Sequence, residues 1–293
     1  MGRTINIRAS CKRYKLKKHR LEACATDTML ELNYQKELLS PSYTGGWEEV
    51  EGRAGEHCSP GFAPKNFTSS RLLLLGAVHG DPQGYERAVR LLRRWQPDLI
   101  TVEISRFSLR YRQRQEANWQ RRLYQAVKGL PPAARSHLAI RRLTAQVALP
   151  FEVRAARDYS RQYRIPWHPL DLSGPSRRHL PRFARELLSP DNLSALLTTE
   201  DEPLEDYVAR EYRRAHCSCR RPAWQLPGIG PETRGRERLQ ARRLRKYLSK
   251  YERVAHLGGW EHLAPWRDGD GLWGALADLQ PGQLLLDEAD NLG

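Results

Sequence analysis

Two short Gly-x-x-His motifs each follow an apolar segment, and a glutamate between them in sequence ends another apolar segment. The motifs run from Gly76 to His79 and from Gly259 to His262, and the glutamate is Glu103. Imidazole nitrogens and carboxylate oxygens are ligands that divalent transition metals such as Mn, Co, Zn and Fe take in proteins. An ion held in this way polarises a carbonyl or acidifies a bound water. His79, Glu103 and His262 are therefore candidate ligands of one metal ion.

A strand, a helix and a second strand position the first motif and the glutamate. The apolar run "RLLLLGAV", which begins at Arg71, has the length and composition of a strand buried on both faces. Apolar residues recur at helical spacing between Gln83 and Trp95, and Pro97 separates this helix from the strand "DLITVEI". Such a unit has parallel strands joined by a right-handed crossover.

The rest of the chain alternates helical patterns with further strand patterns. Strands are predicted at "IPWHPLDLS", which ends at Asp171, at "RVAHLGGW" and at "GQLLLDEAD". The predicted helices cover Leu109–Val127, Ala133–Leu149, Phe151–Tyr163, Ser176–Leu188, Pro203–His216 and Glu232–Leu248. We therefore predict an α/β fold, with a central, mainly parallel sheet flanked by helices and a large helical insertion between the second and third strands.

Two regions differ in composition. Residues 69–293 contain all the predicted strands and form the α/β domain. Residues 1–68 are rich in Gly, Ser and Pro towards their end and show no periodicity, so we predict a poorly ordered or irregular N-terminal extension there.

Ligands of parallel α/β sheets bind beyond the carboxyl ends of the strands. Four predicted strands end next to His79, Glu103, Asp171 and His262. We expect these four side chains to converge at one edge of the sheet. The alternative stays open that each histidine only caps or packs against its own strand, which is the common role of a histidine in that position.

The stretch "GAVHGDP" also resembles the opening of calcineurin-like metallophosphoesterases, which begin with a strand and Asp-x-His-Gly. Here Ala77 occupies the position of the aspartate, and the chain contains no Asn-His pair. The ligand set of a two-metal phosphatase is therefore missing.

The order of the motifs resembles the TraB/PrgY/Tiki family. Its members share a strand ending in Gly-x-x-His, a strand ending in Val-Glu and a late Gly-x-x-His, which this chain has at Gly76–His79, Val102–Glu103 and Gly259–His262. The segment "RGRERLQARRLRK" is similar to an Arg-Glu-Arg-like helix of the family, with Glu237 and Arg238 as the matching pair. The resemblance covers residues 71 to about 290.

The resemblance implies a metal-dependent hydrolase, peptidase-like in its reaction, with a peptide or small-molecule substrate. His79, Glu103 and His262 correspond to the residues that would hold the divalent ion, identified only as Mn, Co, Zn or Fe. The alternative is a non-catalytic regulatory protein that binds a peptide, haem or another small ligand in the same pocket.

The same resemblance suggests further active-site residues. An arginine typically follows the glutamate of the family, and of Arg106, Arg110 and Arg112 we choose Arg110. Carboxylates beside the ligands are candidates for the general base, and arginines are candidates for binding the substrate or an oxyanion. The catalytic candidates are Glu103, Glu261, Glu237, Arg110 and Arg238, with Asp171 as a second-rank carboxylate.

Composition restricts the other classes of function. The 293 residues include 49 Lys and Arg against 34 Asp and Glu, a formal net charge of +15. The arginines are spread along predicted helices and no nucleic-acid-binding motif accompanies them, so we do not expect a nucleic-acid partner. No apolar run reaches the roughly 18–20 residues of a transmembrane helix. The 5 cysteines form no Cys-x-x-Cys pair, which fits a reducing compartment, and we expect a cytoplasmic protein.

Overall fold

The computed structural model describes residues 69–291 of the chain. Two compact units divide them: residues 69–173 and 190–291 belong to the larger unit, and residues 174–189 belong to the smaller. All strands and all the candidate site residues lie in the larger unit. The predicted extension over residues 1–68 lies outside the described residues.

A five-stranded sheet forms the centre of the larger unit, and every neighbouring pair of strands is parallel. The strands are β1 (Leu72–Ala77), β2 (Leu99–Ser105), β3 (Trp167–Asp171), β4 (Val254–Gly259) and β5 (Gly282–Leu285). Their order across the sheet is β3-β2-β4-β1-β5. The predicted α/β class with a parallel sheet is confirmed, and each of the five strands overlaps a segment that the sequence predicted as a strand.

Ten α-helices connect or follow the strands within residues 69–291. They are α1 (Gly84–Trp95), α2 (Arg106–Lys128), α3 (Pro132–Ser136), α4 (Leu138–Val147), α5 (Phe151–Tyr163), α6 (Ser173–Leu187), α7 (Pro190–Leu196), α8 (Leu204–Arg220), α9 (Pro231–Leu248) and α10 (Leu272–Ala275). Short 3-10 helices cover Ala223–Gln225, Trp260–Leu263, Arg267–Gly269, Ala277–Leu279 and Leu286–Asn291. No described helix has both the length and the apolar character needed to cross a membrane.

The predicted helical insertion between the second and third strands is confirmed, and it consists of α2 to α5. One prediction within it is wrong: the helix expected over Ala133–Leu149 is two helices that meet at His137. The backbone of His137 is extended (φ −53°, ψ 137°), and its ring nitrogen Nδ1 accepts a hydrogen bond from the amide of Ala139 at 3.2 Å. His137 is therefore the N-cap of α4, and its extended backbone separates α4 from α3. Helix α7 was not predicted.

Strands β1 and β4 bring the two Gly-x-x-His motifs side by side. Gly76 pairs with Gly258, and Ala77 pairs with Gly259. A Cβ atom on Gly76 would stand 3.0 Å from the Cα of Trp260, the residue that follows β4. The missing side chain of Gly76 therefore allows the start of the second motif to pack directly on the first.

Helix α1 ends in a left-handed residue, Gln96, with φ 54° and ψ 70°. A side chain is strained in this conformation and glycine is not. We expect Gln96→Gly to raise the free energy of unfolding by about 0.5–1 kcal/mol, measured by equilibrium denaturation. The matched change Gln113→Gly, at an exposed position inside α2, should lower it by about 1 kcal/mol. Equal effects of the two changes would contradict this account.

Candidate functional site

Glu103 and His262 meet beyond the carboxyl ends of β2 and β4. Oxygen Oε2 of Glu103 lies 2.5 Å from Nε2 of His262, and both side chains are less than one tenth exposed. Glu103 stands where the register between β2 and β3 shifts, and His262 lies in the 3-10 turn that follows β4. The expected convergence of these two residues from distant parts of the sequence therefore occurs.

Helix α9 contributes the second partner of His262. Its residue Glu237 is buried, and its carboxylate lies 2.9 Å from Nδ1 of His262. The imidazole is thus bracketed by two carboxylates, one on each ring nitrogen. The hydrogen bond from Nδ1 of His262 to Glu237 fixes the orientation of the ring, and this orientation directs Nε2 at Glu103.

The side chain of Glu103 also takes the place of a backbone acceptor where the pairing of β2 with β4 ends. The paired register between β2 and β4 ends at Val102 and Leu257. Beyond that point the amide of Gly259 donates to Oε2 of Glu103 at 2.9 Å. The side chain accepts a backbone hydrogen bond that a strand neighbour would otherwise accept, so β2 and β4 separate at the site without an unsatisfied amide.

Arg236, the residue before Glu237 on α9, joins Glu103 to Asp171. Its Nη2 donates to Oε1 of Glu103, and its Nε donates to Oδ1 of Asp171 at 2.8 Å. Asp171 is buried at the end of β3 and also accepts from Nε2 of Gln240 at 3.3 Å. Arginine suits this bridging role because its planar fork donates in two directions.

Opposite charges decide the protonation of the central pair. Burial by itself would raise the pKa of Glu103, but the charges of His262 and Arg236 outweigh it and hold that pKa well below its ordinary value. Burial would lower the pKa of His262, but Glu103 and Glu237 outweigh it and raise that pKa well above its ordinary value. At neutral pH the pair is therefore a carboxylate against an imidazolium.

His79, in the first motif, makes a similar contact with a different carboxylate. Its Nδ1 lies 2.6 Å from Oε1 of Glu152, a buried residue in the first turn of α5. The side chain of His79 is 36% exposed, so this histidine faces the solvent side of the site. It is close enough that its charge helps to lower the pKa of Glu103.

A third histidine, His256, lies inside β4 and is buried beside the same pair. Its Nδ1 is 3.0 Å from Oγ1 of Thr101, and its ring centre is 6.2 Å from that of His262. Burial, together with the charge of His262, lowers the pKa of His256 to about 3. Sequence analysis did not select this residue, because a histidine within a strand pattern looks like a packing residue.

The bare Cα of Gly258 faces all three groups. A Cβ atom there would stand 2.9 Å from Oε2 of Glu103, 3.0 Å from Cδ2 of His262 and 3.2 Å from Nε2 of His256. No side chain fits at this position without moving at least one of them.

The other predicted residues lie at various distances from this centre. Asp171 and Glu237 contact it through Arg236 and His262, as described. Arg110 is exposed on α2, and Arg238 is 63% exposed with its Nη2 3.5 Å from Asp270. The carbonyl of Glu261 accepts from the indole of Trp266 at 2.7 Å, and its side chain is half-buried. Arg236 and Glu152 were missed, although Arg236 adjoins the predicted Glu237.

In comparisons with known proteins, the chain matches no family model, no curated protein and no solved structure. Within residues 69–291, no three His, Cys, Asp or Glu side chains stand together as a ready-made metal site.

We expect Gly258→Ala to lower the free energy of unfolding by about 1–3 kcal/mol, because the methyl group overpacks the contact between Glu103 and His262. Denaturant unfolding measures this. Gly235→Ala is the matched control: it lies inside α9, where an added Cβ meets no atom within 4 Å. It should raise stability by about 0.5–1 kcal/mol, because alanine favours a helix over glycine. A neutral Gly258→Ala would show that the site tolerates a side chain there.

The lowered pKa of His256 predicts a loss of stability in acid. Between the ordinary pKa near 6.5 and about 3 in the folded protein, only the unfolded chain binds this proton. The free energy of unfolding therefore decreases as the pH is lowered through that window, by up to about 1.4 kcal/mol per pH unit. We expect His256→Asn to flatten the slope of unfolding free energy between pH 4 and 6.

His216→Asn is the control for that measurement. Its partner Asp287, 2.9 Å away, raises the pKa of His216. Folded His216 is protonated between pH 4 and 6 and unfolded His216 is largely so, so this variant should change the slope there only slightly and should alter it mainly above about pH 6. Parallel pH curves for the wild type and His256→Asn would contradict the assignment.

Proposed function

We propose that this protein is a metal-dependent hydrolase, peptidase-like in its reaction, whose centre is the contact between Glu103 and His262. The observation that carries the proposal is the buried chain Glu237–His262–Glu103, at the edge of a parallel sheet where ligands usually bind. The resemblance of the two Gly-x-x-His motifs and the intervening glutamate to the TraB/PrgY/Tiki family supports the same reaction.

The donor chemistry fits a divalent ion of the Mn, Co, Zn or Fe class. Two histidines hold a buried carboxylate at Nδ1, Glu237 for His262 and Glu152 for His79. This is the usual arrangement around metal-binding imidazoles, because it fixes the ring and leaves the lone pair of the neutral ring on Nε2. His79, Glu103 and His262 are the candidate ligands, and their side chains would adjust as an ion loads.

Carboxylates contact both candidate imidazoles, Glu103 and Glu237 at His262 and Glu152 at His79. A bound divalent ion would take over the charge compensation that the Nε2 proton of His262 gives to Glu103. When bound, the ion would supply Lewis-acid polarisation of a carbonyl and acidify a water molecule.

The residues of the chain divide the remaining tasks. Arg236 and the amide of Gly259 keep Glu103 ionised and oriented. Glu237 holds the ring of His262 in place. His79 is the most exposed of the candidate ligands and marks the side from which a peptide or other small substrate enters.

Two variants test the proposal directly. We expect Glu103→Gln and His262→Ala to lose a bound ion and to lower kcat/KM by at least about 100-fold. Elemental analysis after loading with Mn²⁺, Co²⁺ or Zn²⁺ measures the ion, and a panel of fluorogenic peptides measures hydrolysis. His216→Ala is the matched control, because it removes a histidine of similar carboxylate contact that lies in another cluster, beside Asp287.

Several outcomes would reject the proposal. A wild-type protein that retains no ion and cleaves no peptide rejects it, and so does a Glu103→Gln variant that keeps both properties. Binding of a peptide or haem by the wild type, without turnover, would favour the non-catalytic alternative.

A further inference from the structure

The hydrogen bonds around His256 assign the lone pair of its neutral ring to Nε2. The hydroxyl of Thr101 donates to the carbonyl of Ala255 at 3.2 Å. That hydroxyl has one hydrogen, so towards Nδ1 of His256, 3.0 Å away, it acts as the acceptor. Nδ1 therefore carries the hydrogen, and Nε2 carries the lone pair.

This lone pair has no partner among the described residues. Nε2 of His256 is fully buried and accepts no hydrogen bond, while the residue is 1% exposed. Buried polar atoms are rarely left in this state, because each unsatisfied one costs free energy. An unmet lone pair of this kind calls for a hydrogen-bond donor or a Lewis acid.

The position of Nε2 favours the Lewis acid. It lies within 3.2 Å of the point where a Cβ of Gly258 would stand, and Oε2 of Glu103 and Cδ2 of His262 lie within 3.0 Å of the same point. His256 thus presents a nitrogen and Glu103 an oxygen around the bare Cα of Gly258, while His262 presents the carbon Cδ2 there and keeps its Nε2 2.5 Å from the same Oε2. With that Nε2 turned from the carboxylate to an ion, the three side chains would give a mixed nitrogen and oxygen donor set suited to a divalent transition metal.

We propose that His256, through Nε2, is a further ligand of the metal ion held by Glu103 and His262. The proposal rests on the metal dependence proposed above and extends it to a residue outside both Gly-x-x-His motifs. The contact of Nδ1 with Thr101 then has the same role that Glu237 has for His262, since it orients the ring from the other nitrogen.

Titration of the metal-free full chain with Co²⁺ tests this, because its absorption spectrum reports ligand number without any assay of turnover. We expect one equivalent to bind the wild type. His256→Asn, which keeps a polar group near Thr101 but lacks Nε2, should weaken binding by at least about tenfold and change the visible absorption bands. His168→Asn is the matched control. Thr101 in β2 lies between the two histidines, paired with His168 in β3 on one side and with His256 in β4 on the other. The control variant should leave both measurements unchanged.

The outcomes separate the two proposals. Wild-type binding with an unchanged affinity and spectrum in His256→Asn overturns the role of His256 and leaves the hydrolase proposal intact. A wild type that binds neither Co²⁺ nor Zn²⁺ overturns both.

A measurement on the wild type covers the case in which His256→Asn does not fold. In protein labelled with ¹⁵N-histidine, the Nε2 resonance of a zinc ligand shifts when Zn²⁺ is added. We expect this shift for His256, whose signals are assigned with the second variant His256→Gln or by their coupling to the adjacent backbone. An unchanged Nε2 resonance, which would leave a water molecule as its partner, overturns the proposal.

Discussion

A buried carboxylate must be compensated by donors and positive charge, and the arrangement of this sheet edge follows from that requirement at Glu103. Removing such a group from water is costly unless its oxygens are met. Here they are met by His262, by Arg236 and by the amide of Gly259. The side chains of the two cationic partners are only 7% and 15% exposed, so each needs its own carboxylate, which Glu237 and Asp171 supply. One carboxylate in β2 thereby accounts for the polar contacts made by Asp171 at the end of β3, by Gly259 at the end of β4, and by Arg236 and Glu237 on α9.

Helix α9 shows how this requirement shapes an element. Most surface helices pack an apolar stripe on a sheet. The first ten residues of α9 instead place polar side chains, Arg236, Glu237 and Gln240, against the strand ends. Apolar packing returns only further along, at residues such as Leu244 and Leu248. The helix therefore serves as a source of charge at one end and of hydrophobic contact at the other.

Much of the fold could be predicted from the sequence, because buried parallel strands are short apolar runs and the helices between them keep their periodicity. The pairing of Glu103 with His262 could also be anticipated, since both follow such strands. Which arginine of "RGRERLQ" faces the sheet could not, because α9 lacks the apolar stripe that normally defines the inner face. Arg236 and Arg238 are two positions apart and so point to different sides of the helix. The sequence resemblance favoured Arg238, which is mainly exposed.

The contacts of the other histidines were hidden for a different reason. Glu152 lies in the first turn of α5, 73 positions after His79, and nothing local to either residue indicates that they touch. His256 sits in a run that predicts a buried strand correctly. Its pattern therefore gave no sign that the ring has a lone pair without a partner, which only the three-dimensional environment reveals.

The location of β4 between β1 and β2 has a consequence for how the protein is made. Thr101 and His256 are 155 positions apart, yet they are neighbours across the centre of the sheet. During synthesis β1 and β2 emerge early, and both wait for the strand that must insert between them. Their backbone edges remain open throughout that interval, and parallel pairing at long sequence separation is slow. The nascent chain therefore depends on its late residues to pair its first two strands, and a chain truncated before β4 would keep an edge of β1 and an edge of β2 exposed.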